Sequence, residues 1–157
     1  MNFISWPGRA SGLLACALAC VLTILAAPSG YATMNPVALR CEYRVEPLGI
    51  DEAQPRLTWR LESEARGARQ VAYQVVVAGT REKLERGDAD LWDTGKVMSD
   101  DTVNIAYAGK PLRSRQQCFW KVRSWDQDGK TTKWSAVSSW SMGLLMPEDW
   151  KASYITC

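Results

Sequence analysis

Cys118, Phe119, Trp120, Lys121, Val122, Arg123, Ser124, Trp125 and Asp126 lead to a turn at Gln127-Asp128-Gly129-Lys130. Trp134-Ser135 and Ser139-Trp140-Ser141-Met142 follow. The stretch reads as two antiparallel strands around a glycine-containing loop. Period-two alternation puts Cys118, Trp120, Val122 and Ser124 on one face and Phe119, Lys121, Arg123 and Trp125 on the other. A core does not accept Lys121 and Arg123 unpaired, so the first face is expected to point inward. On the second face, the two cations can lie across the indoles of Trp125 and Trp134.

Working outward, the same pattern recurs. Leu39, Cys41 and Tyr43 alternate with Arg40, Glu42 and Arg44, and Leu57, Trp59 and Leu61 alternate with Arg56, Thr58, Arg60 and Glu62. Pro47, Gly49 and Pro55 mark the connection between these two strands, and Ser63 to Gln70 reads as a polar loop. Val71 to Ala78 is a β-branched strand with Tyr73, Val75 and Val77 on one side. Leu91 to Val97 and Val103 to Tyr107 are shorter strands. One short helix is expected over Thr80 to Arg86, with Thr80 as its cap, Leu84 as its apolar anchor and Gly87 as its stop. About seven short strands at this spacing predict an all-β antiparallel sandwich.

The chain has 157 residues, and its first 32 read as a secretory signal peptide. Arg9 precedes the apolar run Leu13 to Ala27, and Gly30-Tyr31-Ala32 forms a small-x-small cleavage site. A secreted or periplasmic location is therefore expected, with no membrane anchor after cleavage. Removing Arg9 leaves 18 basic against 17 acidic residues, a net charge of +1. That balance argues against a nucleic-acid surface, which needs clustered excess Lys and Arg. Cys41 and Cys118 both fall on inward faces. They either meet as a disulfide across the core or remain two buried thiols.

Little catalytic chemistry is available. The chain contains no histidine, which removes histidine metal sites and Ser-His-Asp triads. The candidate carboxylate pairs for glycoside cleavage, Glu62 with Glu64, Glu82 with Glu85 and Asp88 with Asp90, fall in polar loops or on outer positions and read as solvated charge. Asp100-Asp101 and Asp126-x-Asp128-Gly129 lack the further ligands of a calcium loop and read as turns. No catalytic, cofactor-binding or metal-binding residue is assigned. Trp92, Trp125 or Trp150 could offer a sugar ring a stacking platform. Against that, Trp59, Trp120 and Trp140 are expected in the core, and Trp125 and Trp134 against Lys121 and Arg123.

The pattern resembles a fibronectin type III or immunoglobulin-like fold. More narrowly, it is similar to the N-terminal accessory domain of bacterial α-L-rhamnosidases of glycoside hydrolase family 78. Leu39 to Tyr43 with Pro47 to Ile50, Pro55 to Trp59, Ala72 to Val75 and Asp90 to Val97 carry the resemblance. So do Tyr107 to Gly109, Phe119 to Arg123, Trp125-Asp126, Trp134-Ser135 and Gly143 to Leu145 with Trp150 to Ala152. Cys118 stands where that pattern favours Tyr, which puts a tyrosine-corner hydrogen bond in doubt.

The resemblance implies a non-catalytic structural module of an inverting rhamnosidase, whose general acid and general base lie elsewhere in the enzyme. It divides the chain into a signal peptide (1–32), a sandwich (33–146) and a linker with the start of a following domain (147–157). On this reading the chain is a truncated product or N-terminal piece, and its partners are the remaining domains of the enzyme. The alternative is a stand-alone secreted carbohydrate-binding or protein-interaction module.

Overall fold

Alternation over Gln117–Asp126 sorts side chains as the pattern requires. Cys118, Trp120, Val122 and Ser124 are buried, and Phe119, Lys121, Arg123 and Trp125 are half-buried on the opposite face. The computed structural model describes Ala32 and residues 34–151. The expected signal segment through Tyr31 and the tail from Ala152 lie outside the described residues.

The elements in chain order are β1 (Met34–Cys41), β2 (Arg56–Ser63), β3 (Gln70–Ala78), α1 (Arg81–Glu85), β4 (Trp92–Asp93), β5 (Ile105–Ala106), β6 (Gln117–Asp126) and β7 (Ser138–Ser141). A 3-10 turn follows at Pro147–Asp149. The strands form two antiparallel sheets, β1-β2-β5 and β4-β3-β6-β7. Between β3 and β6, Val77 pairs with Trp120, Val75 with Val122 and Tyr73 with Ser124, so the apolar set shares one face. That face meets Leu39, Cys41, Leu57 and Trp59 of the other sheet in one core with Tyr107, Trp140 and Met142. Burying a large apolar side chain of this kind contributes roughly 1.5–3 kcal/mol.

Opposite the core, the four-stranded sheet carries a second, smaller layer. The Thr80 hydroxyl accepts from the Lys83 amide to cap α1, as expected. The helix lays Leu84 against Val76 and Ala78, beside Phe119, Trp134 and Val137. Gly87, at φ +82, ends it.

Three expectations need correction. β1 ends at Cys41, and Glu42 and Tyr43, at φ 46 and 63, form a two-residue turn closed by paired hydrogen bonds between Cys41 and Arg44. That turn breaks the alternation, so Tyr43 points out and is 53% exposed. Gln70, expected in a loop, begins β3 and is 2% exposed. The strands expected over 91–97 and 103–107 shrink to two residues each. In the first, the Thr94 hydroxyl accepts from the Val75 amide and the Asp93 carboxylate from the Gly95 amide, replacing ladder bonds. In the second, Asn104, at φ 58, turns the chain out of the β region just before β5.

Two stretches without strand structure close the edge beyond β7. The connection through Pro47 to Ile50 runs alongside it, with Ser141 N–H donating to Pro47 O, Ile50 N–H to Ser141 O and Gly143 N–H to Ile50 O. At Ser141 the edge strand therefore offers no free backbone group. Gly143 to Met146 is a docked strap. Arg115 N–H donates to Gly143 O at 2.9 Å, and Leu145 N–H to the Ser114 hydroxyl at 2.8 Å.

Candidate functional site

The outer face of the four-stranded sheet holds the interleaved cations and aromatics expected there. The Arg123 guanidinium lies 5.1 Å from the Trp125 ring centroid and 4.6 Å from that of Trp134. Lys121 adds a contact to Trp134 at 5.1 Å, and Lys96 one to Trp125 at 4.8 Å. Gln74 orients the ladder: its carbonyl accepts from Arg123 Nε at 2.9 Å and its amide donates to Asp93. Lys121 donates to the Leu84 carbonyl, and burial holds its ammonium below the usual lysine range. The Ser135 hydroxyl accepts from the Val122 amide, which fixes the Trp134-Ser135 segment against β6. Both indoles are thus engaged by side chains of the same domain.

The remaining tryptophans sort by burial. Trp59, Trp120 and Trp140 are core residues, 0–1% exposed. Trp92 packs edge-on against Tyr107, with ring centroids 5.2 Å apart. Trp150 is 71% exposed, and of the three platform candidates it alone is largely open to solvent.

The carboxylates do not assemble a glycosidase pair. A general acid in such an enzyme needs its pKa raised. Here the displaced carboxyls move the other way. Arg56 hydrogen-bonds Glu42 and holds it below the usual range. The backbone amide of Glu82 and the Thr80 hydroxyl do the same for Glu82. Burial works to raise Asp90, but the Lys83 ammonium and the Gly79 amide together bring it below its ordinary value. Glu62 and Glu64 line an open depression of about 870 Å³, yet both are exposed and Glu62 pairs with Arg60. The Asp126 carboxylate accepts from the Asp128 and Lys130 amides, and the Asp101 carboxylate from the Ser99 hydroxyl, so these aspartates serve turns.

Cys41 and Cys118 are free thiols, 1% and 0% exposed. Burial pushes each up to about 12, well away from the thiolate that reactive cysteines need. Cys118 has no hydroxyl to make a tyrosine-corner bond from its position, but Tyr107 makes a local bond of its own. It is buried just after β5, and its hydroxyl donates to Lys110 O at 2.7 Å, tying down the turn that follows. Gly109 allows this approach: a Cβ there would sit 2.5 Å from Leu91 O and 2.6 Å from the Tyr107 hydroxyl.

The described surface also carries exposed apolar side chains. Val45 and Leu48 on the arm (residues 45–50) beside β7, Met146 at the end of the strap and Trp150 just after the 3-10 turn are 56–82% exposed. The Ser114 hydroxyl donates to the Asp149 carboxylate, which also accepts from the Met146 amide, clasping the strap to the 112–116 loop. Periodicity did not reveal this edge, although Pro47 and Gly49 signalled an irregular connection.

Seven strands in sheets of three and four, with an inter-sheet tryptophan core, define an immunoglobulin-class β-sandwich. Residues 36–146 match the family model for the Rha78A-like, N-terminal immunoglobulin domain, and the chain belongs to that family. It is 50% identical over 115 residues to an α-L-rhamnosidase of Streptomyces avermitilis, a match covering 73% of this chain and 11% of the relative. The crystal structure of Streptomyces avermitilis α-L-rhamnosidase complexed with L-rhamnose is similar at TM-score 0.72 and 47% identity, over 76% of this chain and 11% of that one. The α-L-rhamnosidase from Dictyoglumus thermophilum gives TM-score 0.74 and 40% identity, over 77% and 14%. The chain thus spans about a ninth to a seventh of the length of these relatives.

Proposed function

We propose that this domain is a non-catalytic brace in a secreted α-L-rhamnosidase. It would pack against the part of the enzyme that removes terminal α-L-rhamnose from glycosides. One observation carries the reading: the relatives are rhamnosidases in which the matching segment is only 11–14% of the chain. The downward-displaced carboxyls of Glu42, Glu82 and Asp90 support it, because inverting hydrolysis needs a protonated acid opposite a base. Export follows from the residues before Ala32, and the amino terminus of the mature protein recovered outside the cell is expected at Thr33 or close to it.

The purified chain, incubated with a chromogenic α-L-rhamnoside, should release no rhamnose above buffer. Turnover by this chain alone would overturn the reading. A carbohydrate-binding module is the second reading, favoured by the exposure of Trp150. Titration with rhamnose under tryptophan fluorescence decides it, since a saturable shift supports that module and a flat trace supports the brace.

A further inference from the structure

The exposed apolar side chains beside β7 sit on backbone that is held in place. Val45 and Leu48 are 64% and 82% exposed, and Met146 and Trp150 are 56% and 71% exposed. The backbone next to Leu48 and at Met146 is hydrogen-bonded to its surroundings. Gly49 N–H donates to the Ser141 hydroxyl at 3.1 Å, and the Pro47 and Ile50 carbonyls accept from Ser141 and Gly143. The strap is tied down in turn by Arg115 and by Ser114 with Asp149.

The two segments also touch. A Cβ on Gly143 would lie 3.2 Å from Gly49 O, so the arm and the strap run in backbone contact. Glu46 and Arg115, both in the left-handed region at φ 45 and 61, flank them. Non-glycine residues hold that conformation only where their surroundings over-determine it. A groove of about 320 Å³, lined by Val37, Leu39, Val45, Ala136 and Val137, extends the apolar surface towards β1. Apolar side chains on a preorganised backbone are what an interface uses to limit the entropy lost on docking.

We infer that the arm and strap, with Leu48, Met146 and Trp150 as anchors, form the face that docks onto the body of an α-L-rhamnosidase. This rests on the brace reading proposed above. The family match ends at residue 146, on the strap itself, and the relatives continue for most of their length outside the matched segment. Whatever follows the strap in those enzymes starts beside this patch. The ladder face, in contrast, has its aromatic rings already engaged by Lys96, Lys121 and Arg123.

The test begins with the mature chain from Thr33 to Cys157, free of the apolar leader, as wild type and as Leu48→Glu/Met146→Glu. Both sites are largely exposed, so melting by circular dichroism should match. The wild type should be monomeric and enhance bis-ANS fluorescence, with about fivefold less enhancement in the double variant. No enhancement by the wild type would overturn the inference. A dimer dissolved by the substitutions would do so as well, by making a second copy the occupant.

Next, residues 36–151 replace the matching segment of the Streptomyces avermitilis enzyme, and melting is followed by calorimetry. One transition is expected with the wild-type surface. A separate domain transition, lower by about 5 °C or more, is expected with the double variant. Two transitions with the wild-type surface would sink the brace reading itself. A single transition that survives the double variant but splits with Arg123→Ala would leave the brace standing and move the interface to the ladder face.

Discussion

The indole N–H of Trp59 donates to the side-chain oxygen of Gln70 at 3.2 Å, and both residues are buried. The same oxygen accepts from the Ser124 hydroxyl at 2.6 Å, while the Gln70 amide donates to the carbonyls of Ser99 and Asp101. One side chain therefore ties β2, β3, β6 and the loop before β5 together.

Gln70→Leu keeps the volume and removes every one of those partners. Each orphaned buried group costs about 1–3 kcal/mol, and partial repair by water at the Ser99 and Asp101 end limits the sum. The expected loss is about 2–3 kcal/mol. Urea unfolding checks it as a lower midpoint at unchanged m-value.

Arg123→Ala should cost about 1–2 kcal/mol by removing two stacking contacts and the hydrogen bond to Gln74. Arg123→Lys keeps the charge but not the planar fork, and is expected to recover less than half of the loss. Tryptophan fluorescence should shift in both variants as Trp125 and Trp134 lose the guanidinium plane, with Lys96 and Lys121 still beside them. A lysine variant as stable as wild type would show that charge alone matters.

The thiols give a pH dependence with a definite sign. Cys41 and Cys118 are raised from 9.0 to about 12, so folding favours their neutral forms. Their contribution is fully present below pH 9 and is lost as the pH climbs from 9 through 12, because only the unfolded chain ionises there. The slope is about 1.4 kcal/mol per pH unit for each thiol. Mass-resolved alkylation at pH 8 should leave both cysteines unmodified in the native chain and modify both after unfolding without reductant. Protection that persists after unfolding would mean a bridge.

Gly109→Ala forces a methyl group against Leu91 O, Trp92 Cβ and the Tyr107 hydroxyl, all within 2.6 Å of its position. Overpacking of this kind costs about 1–3 kcal/mol. Tyr107→Phe, which removes the hydroxyl shared between Lys110 O and, at longer range, Leu91 O, should cost about 1 kcal/mol. If thermal melting places the two variants in the reverse order, the close approach at Gly109 is not what constrains this corner.

Read as a pattern of residues alone, the chain was legible in its two-layer class, the inward faces of β2, β3 and β6, the capped helix and the cation–aromatic face. Each follows from local rules: side chains alternate along a strand, Lys121 and Arg123 cannot be buried unpaired, and Thr80 caps the helix it precedes. The outward turn of Tyr43, the buried hub at Gln70, the lysine that Lys96 brings to Trp125 and the clasp of Ser114 on Asp149 were settled by the folded arrangement. A two-residue turn reverses the parity of alternation, so a count carried through it misplaces Tyr43. The other three join residues 11 to 54 positions apart, which become neighbours only when the strands pair and the loops pack over them. The placement of residues 47–50 along β7 belongs with them, since it too depends on backbone pairing between segments about 90 positions apart.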